Sequence, residues 1–261
     1  MSTDDKTKNW YNENASKYTA HVRDESDSIY HAYYEKPAMY GLLPELEGKK
    51  VLSLGCGSGE DSNYLKKQGA SESVGIDISE ELIQIAQKSY PACQFEVMDM
   101  EKLRYPNKSF DFVYSSLAIH YIEDWSTVFK DVYRVLKSDS YFLFSCGHPI
   151  RSAMTIIEDN DDRQIRQLSI IKRKSPKSIE IVGNYMDHRK LSDGLGNLAD
   201  VTTWHKSISE IVNEAKSAGF LIETFLEPRP LEGLKSISDR DYIRLNKIPE
   251  FMIFRMVKLK D

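Results

Sequence analysis

The sequence predicts an α/β protein: an open, doubly wound, mostly parallel sheet with helices on both faces. Three observations carry that expectation. Short apolar runs recur between residues 50 and 146 and alternate with stretches patterned as amphipathic helices. The first run ends in a glycine-rich turn and the second ends in an aspartate. The chain has 261 residues, 41% of them hydrophobic and 29% charged, ordinary for a globular protein with one large domain.

KVLSL, residues 50–54, reads as a buried strand. Gly55, Gly57 and Gly59 follow it at alternate positions. A strand that turns sharply into a helix needs residues tolerant of unusual φ/ψ. The missing Cβ also lets a ligand approach the backbone beside the free N–H groups of a helix start. A polar, helix-compatible stretch then runs to Gln68, and Gly69 supplies its stop. ESVGID, 72–77, is a second strand, and Asp77 at its end is placed to accept hydrogen bonds from two ribose hydroxyls. The plainer alternative is a tight strand–helix turn followed by a strand-end carboxylate. Ser79 caps the next helix, EELIQIAQKSY, whose Leu82, Ile85, Ala86 and Tyr90 share a face. QFEVMD (94–99) and FDFVYSS (110–116) are the third and fourth strands. Ser126 opens a helical pattern with Val128, Val132, Val135 and Leu136 on one side, and YFLFSC (141–146) is the fifth strand. Such sheets bind ligands outside the carboxyl ends of their strands, so the residues just after each strand form the expected site.

Composition excludes several classes. A net charge of −5 argues against a nucleic-acid binder held by phosphate contacts. No apolar run reaches the length of a membrane span, and MSTDDKTKNW lacks the apolar stretch of a signal peptide. Cys56, Cys93 and Cys146 are odd in number and far apart, which predicts reduced thiols in a cytoplasmic protein. No CxxC or HExxH spacing occurs, and no metal site is expected.

VLSLGCGSG, VGIDIS, FEVMDMEKL and FDFVYSSLAIHYIED together resemble the successive motifs of class I S-adenosylmethionine-dependent methyltransferases, in the small-molecule branch called methyltransferase type 11. The resemblance covers residues 48–150. It implies a Rossmann-like, seven-stranded sheet with an antiparallel edge strand, a helical N-terminal lid (1–47) and a substrate-cap insertion (151–203), followed by a late helix and closing strands (204–261) in one domain. It also implies S-adenosylmethionine as cofactor, S-adenosylhomocysteine as product and a small-molecule acceptor. By position, Gly55, Cys56, Gly57 and Gly59 would border the amino-acid end of the cofactor. Asp77 would hold the ribose diol, Ile78 would pack on the adenine, and Asp99 with the Met100 N–H would meet the adenine edge. Ser115 would contact the methionine moiety, and Tyr11 and Tyr18 lie in the lid. One departure stands out: relatives usually carry Asp where this chain has Ser53.

Methyl transfer needs a nucleophile aligned with the sulfonium methyl and water kept out; a hydroxyl or ammonium nucleophile gains from a general base. Histidine suits that task. His205, in TTWHKSISE, resembles a residue that faces the substrate side in this branch and is the first candidate; His120, after the fourth strand, is the second. His148 in SCGHPI reads as a turn residue, and His21, His31 and His188 are weaker. In the insertion, acidic EDNDD (158–162) precedes a basic run (163–177) read as a solvated face, and 184–200 reads as a loop. Tyr185 and Trp204 line an apolar pocket or pack in the interior. FLIETFLEPRP and PEFMIFRMVKL read as two late strands pairing antiparallel at the sheet edge. A base-methylating enzyme would show a flipped-base motif where this chain has SSLAIH, and a nicotinamide dehydrogenase would show GxGxxG where Glu60 stands. A non-catalytic cofactor-binding protein is the remaining alternative, prompted by Ser53.

Overall fold

A computed structural model describes residues 4–158, 164–191 and 201–260. The chain opens with α1 (Asp5–Glu13) and α2 (Ala15–Arg23), then a π-helical turn (His31–Glu35) that runs into α3 (Lys36–Tyr40). The alternating core follows: β1 (Lys50–Leu54), α4 (Glu60–Lys67), β2 (Glu72–Asp77), α5 (Glu80–Ser89), β3 (Gln94–Val97), β4 (Phe110–Ser115), α6 (Trp125–Val135) and β5 (Leu136–Gly147). The insertion holds α7 (Pro149–Ala153) and the short strands β6 (Thr155–Glu158), β7 (Gln164–Gln167), β8 (Ser169–Lys174), β9 (Lys177–Val182), β10 (Arg189–Leu191) and β11 (Thr203–His205). Last come α8 (Ile208–Ser217), β12 (Leu221–Leu226), α9 (Gly233–Ile237), α10 (Asp239–Leu245) and β13 (Phe251–Lys258).

Seven strands form one sheet in the order β12-β13-β5-β4-β1-β2-β3. The pairs among β1 to β5 are parallel, and β13 runs antiparallel to both β5 and the edge strand β12. The expected antiparallel pairing at that edge is present. Strand order reverses between β1 and β4, so a crevice opens beyond their carboxyl ends.

Period-two alternation assigns the two faces. Leu52, Leu54, Val113, Phe142 and Phe144 pack against Val128, Val132, Ile211 and Ala215 of α6 and α8. Val51, Phe112, Tyr114 and Leu143 pack on the other face against Met39 and Leu65, which belong to α3 and α4. Ser79 caps α5 as expected, accepting the Leu82 N–H at 3.2 Å. The sixth helix starts one residue before Ser126, because Asp124 is its cap and accepts the Ser126 N–H at 3.0 Å. It also ends earlier than its apolar pattern: Leu136 turns to φ −71°, ψ 140° and opens β5.

The insertion folds as three separate strand pairs. Lys172, Arg173, Lys174 and Lys177 stand exposed on the β8–β9 hairpin. Residues 159–163 of the acidic and basic runs, and 192–200 of the expected loop, lie outside the described residues. Among the described residues no helix is long and apolar enough to cross a membrane.

Candidate active site

The crevice at the strand ends forms a cleft between the sheet and the N-terminal helices. Gly55 and Gly57 follow β1, Asp77 and Ile78 follow β2, and Met98, Asp99 and Met100 follow β3. Ser116, Leu117, Ala118 and Tyr121 follow β4, while Thr7, Tyr11 and Tyr18 come from the lid.

The first turn needs glycine for two different reasons. Gly55 has φ +62°, and a Cβ there would meet the Ala118 Cβ at 2.3 Å. Gly57 has φ +54°, and its Cβ would face the Tyr18 ring at 3.4 Å across the cleft. The Gly57 backbone thus packs directly under the Tyr18 ring, in a left-handed conformation that favours glycine. Its N–H donates to Asp77 Oδ2 at 2.9 Å, and the Ser79 N–H donates to Asp77 Oδ1 at 2.9 Å. Burial raises the Asp77 pKa, and these backbone donors oppose the rise. Each carboxylate oxygen has a second lone pair to offer, which suits a vicinal diol. Ile78, Leu82, Met98 and Met100 give an apolar slot beside it, and Asp99 accepts the Glu101 N–H at 2.9 Å.

Three tyrosines roof the cleft. Tyr11 and Tyr121 share a hydroxyl hydrogen bond of 2.6 Å, and Tyr11 meets Tyr18 edge-on at 5.3 Å. Burial lifts the phenols of Tyr11 and Tyr18 well above their usual range and that of Tyr121 to about 12. The roof is pinned at both ends. Ser79 Oγ donates to Asn12 Oδ1 at 2.7 Å. Asp4 caps α1 through the Thr7 N–H at 2.9 Å and also accepts Thr202 Oγ1 at 2.5 Å and Lys190 Nζ at 3.0 Å. The Thr202 N–H returns a bond to Thr7 Oγ1 at 2.9 Å, so lid and insertion are stitched together.

A buried ionic cluster lies behind Ser116. Lys36 donates to Asp61 and, at 2.9 Å, to Ser116 Oγ. Ser116 Oγ donates to Glu35 Oε1 at 2.9 Å, Ser145 Oγ donates to the same oxygen at 2.5 Å, and Tyr40 OH donates to Asp61 Oδ1 at 2.9 Å. No spacing rule marks this cluster in the sequence, because its members come from α3, α4 and the ends of β4 and β5.

Of the expected site residues, Tyr18, Gly55, Gly57, Asp77, Ile78, Asp99 and Met100 line the cleft together. Five do not. Gly59 has φ +94° as the N-cap of α4, and its Cβ would strike the Phe95 ring at 2.8 Å, so it serves packing. Cys56 is buried with Ile83, Ala86 and Phe95. Ser115 points into the sheet and donates to the Leu54 carbonyl at 3.1 Å, leaving its neighbour Ser116 at the cleft. His205 is buried with both nitrogens engaged, Nδ1 with Ser152 Oγ at 2.6 Å and Nε2 with the Tyr185 carbonyl at 2.9 Å. That carbonyl requires Nε2–H, so His205 braces the insertion and has no free basic nitrogen. His120 is buried behind Tyr121, and burial pushes its pKa down to about 3. Its Nδ1 accepts the Gly147 N–H at 3.4 Å, which leaves Nε2 as a protonated donor rather than a base.

His148 caps α7, its Nδ1 accepting the Ile150 N–H at 3.1 Å, in keeping with a turn role. Tyr185 and Trp204 pack with His205 and His188 within the insertion. Thr7, Leu82, Met98, Leu117, Ala118 and Tyr121 were not expected at the cleft. Met98, Leu117, Ala118 and Tyr121 carry the one available signal, their position just after a strand.

Residues 52–144 match the methyltransferase domain family. An uncharacterized protein of Haemophilus influenzae is 31% identical over 204 residues, 74% of this chain and 76% of that protein. A crystal structure of an S-adenosylmethionine-dependent methyltransferase from Mesorhizobium loti superposes with a TM-score of 0.70 at 28% identity, covering 84% of this chain and 95% of that one. Phosphoethanolamine N-methyltransferase 1 of Zea mays is 35% identical over 108 residues, 39% of this chain and 22% of that enzyme. The chain belongs to the S-adenosylmethionine-dependent methyltransferase family, and its fold and its cofactor are those of that class. The residues present fit the cofactor: a strand-end carboxylate at Asp77 with a lone pair on each oxygen left for a diol, and an apolar slot of Ile78, Leu82, Met98 and Met100 beside it.

Proposed function

We propose that this methyltransferase acts on a small-molecule acceptor admitted beneath the tyrosine roof. The observation that carries the reading is the roof itself: α1 is tied to α5 through Asn12 and to the insertion through Asp4 and Thr7, which favours a compact acceptor over a polymer. The net charge of −5 points the same way. Two relatives matched over the core are named for phosphoethanolamine and for a malonyl group on acyl-carrier protein. The three cysteines, free and buried, support a reducing, cytoplasmic setting.

When bound, S-adenosylmethionine supplies a methyl already activated on sulfur. The chain's part is placement and exclusion of water. Asp77 would hold the ribose diol, Ile78 and Met100 would flank the base, Asp99 would take its amino edge, and Gly55 and Gly57 would border the amino-acid part. Tyr11, Tyr18 and Tyr121 cover the reacting centre. Their raised pKa values keep them protonated at neutral pH, so they donate hydrogen bonds and take no proton. His120 and His205 are held neutral by burial and are occupied or turned into donors. An acceptor that needs no base fits this cleft: a carboxylate, a free amine or a thiolate.

The test is S-adenosylhomocysteine release with pools of small carboxylates, amines and thiols, compared with transfer RNA and protein. We expect stimulation by a small-molecule pool, with a pH–rate profile that follows the acceptor's own pKa. Stimulation by nucleic acid or protein alone would refute the reading.

A further inference from the structure

The insertion carries a surface that the cleft does not use. β8 and β9 form a hairpin whose register sets Ile170 opposite Ile181, Lys172 opposite Ile179 and Lys174 opposite Lys177. Side chains alternate along a strand and opposed residues share a side, so these six make one face. Ile170, Ile179 and Ile181 are 66%, 67% and 72% exposed. A lone exposed aliphatic is ordinary, whereas three neighbours on one face form a patch. The isoleucines lie toward the root of the hairpin and the exposed lysines toward its tip. Glu180 lies on the opposite face, where it pairs with Arg173 at 3.2 Å. The face therefore holds three isoleucines and three ammonium groups and no carboxylate, in a chain of net charge −5.

The hairpin is held at its root. The Asn184 N–H donates to the carbonyl of buried Ala153 at 2.7 Å, and Gln167 Nε2 donates to Ser169 Oγ at 2.6 Å. An isolated two-stranded hairpin is only marginally stable, so an exposed apolar side gains from being covered. The composition of the face selects the cover. Protein interfaces deplete lysine. Stacking on a second copy would set lysine against lysine in one orientation and bury lysine on isoleucine in the other, both costly. A bilayer surface with anionic lipid accepts both residue types. Isoleucine enters the boundary below the headgroups, and the lysine stem lies along that boundary while its ammonium reaches the phosphates.

We propose that the β8–β9 hairpin docks the protein on the surface of an anionic lipid bilayer, with Ile170, Ile179 and Ile181 set into the headgroup boundary and Lys172, Lys174 and Lys177 paired with lipid phosphates. The contact is peripheral and reversible, and it holds whatever the methyl acceptor is.

The experiment sediments the full chain with vesicles of phosphatidylcholine and phosphatidylglycerol in equal parts, beside vesicles of phosphatidylcholine alone. We expect binding to the mixed vesicles that fades as salt rises, and little to the neutral ones. Replacing the lysines together, as Lys172→Gln, Lys174→Gln and Lys177→Gln, should weaken binding about a hundredfold, about fivefold for each. Replacing the isoleucines together, as Ile170→Ser, Ile179→Ser and Ile181→Ser, should weaken it about tenfold or more and leave the thermal melt unchanged. No binding, equal binding to both kinds of vesicle, or parental affinity in either variant would overturn the proposal. A dimer of the parent in free solution that the serine variant loses would give the face to a second copy. Polyglutamate that binds as tightly as the mixed vesicles would give it to an acidic protein. Either result overturns the proposal as well. If the serine variant does not fold, the glutamine variant decides alone, and parental affinity in it overturns the proposal.

Discussion

His120 shows how burial decides what a titratable residue can do. The side chain follows β4 directly, where a base would be useful, yet its pKa sits at about 3 because no charge near it offsets desolvation. The folded chain thus keeps this ring neutral, whereas the unfolded chain protonates it near the ordinary value of 6.5. The unfolded state binds more protons in that interval, so stability rises with pH there. His120's contribution is complete above 6.5 and drains away as pH falls toward 3. His148 and His205, also lowered by burial, act in the same direction. Glu35 adds its own loss only below 4.5, as pH falls toward about 2. We expect the melting temperature to fall between about pH 7 and pH 5, and His120→Gln to reduce that slope; an equal slope in the variant would show that His120 titrates normally. At this scale the placement of Gly55, Gly57, Asp77 and Asp99 at the strand ends was legible, because it depends on local sequence and a turn. Alternation along β4 turns Ser115 inward, and its neighbour Ser116 stands at the cleft. The role of His205 was not legible, because its partners Ser152 and Tyr185 are distant in sequence.

Among the elements, α1 depends on contacts from outside itself. Asp4 caps it and at the same time accepts Thr202 and Lys190 from the insertion. Asp4→Ala is expected to cost about 1 kcal/mol as a lost cap and also to weaken S-adenosylmethionine binding, because Tyr11 rides on the same helix. Ser207→Ala removes the capping box of α8, away from the cleft. It should cost a similar amount, about 1 kcal/mol in a denaturant melt, and leave cofactor affinity unchanged. Affinity losses that match in the two variants would mean that the lid has no special link to the site. The helices of the core were readable from caps and period. The strand pairs of the insertion were not, because β8 and β9 carry Ile170, Ile179 and Ile181 exposed and show no one-sided burial to pattern them.

For the whole molecule, the sheet order places β1 between β4 and β2, so the residues that follow β1, β2, β3 and β4 meet at one cleft. The alternation of runs predicted a parallel sheet with ligands at its carboxyl ends; the strand order itself was not legible, since pairing between distant segments leaves no local mark. The core beneath the cleft is aromatic: Phe144 stacks on Phe142 at 4.9 Å and on Phe254 at 5.2 Å, with no exposure to solvent. Phe144→Ala should cost about 3–5 kcal/mol by leaving a cavity, read as a lower denaturation midpoint; a loss below about 1 kcal/mol would mean that the core there is loosely packed. The acceptor was not legible, and neither were the contacts that join the N-terminal helices to the insertion, because they link residues distant in sequence.

The central claim is that the cleft around Asp77 holds S-adenosylmethionine. Calorimetric titration of the full chain with S-adenosylmethionine, repeated on Asp77→Ala, tests it most directly. The account predicts one site on the parent chain and a loss of about a hundredfold or more in the variant, the effect of removing a carboxylate that would take two hydroxyls. Absence of binding to the parent, or equal binding to the folded variant, would contradict it.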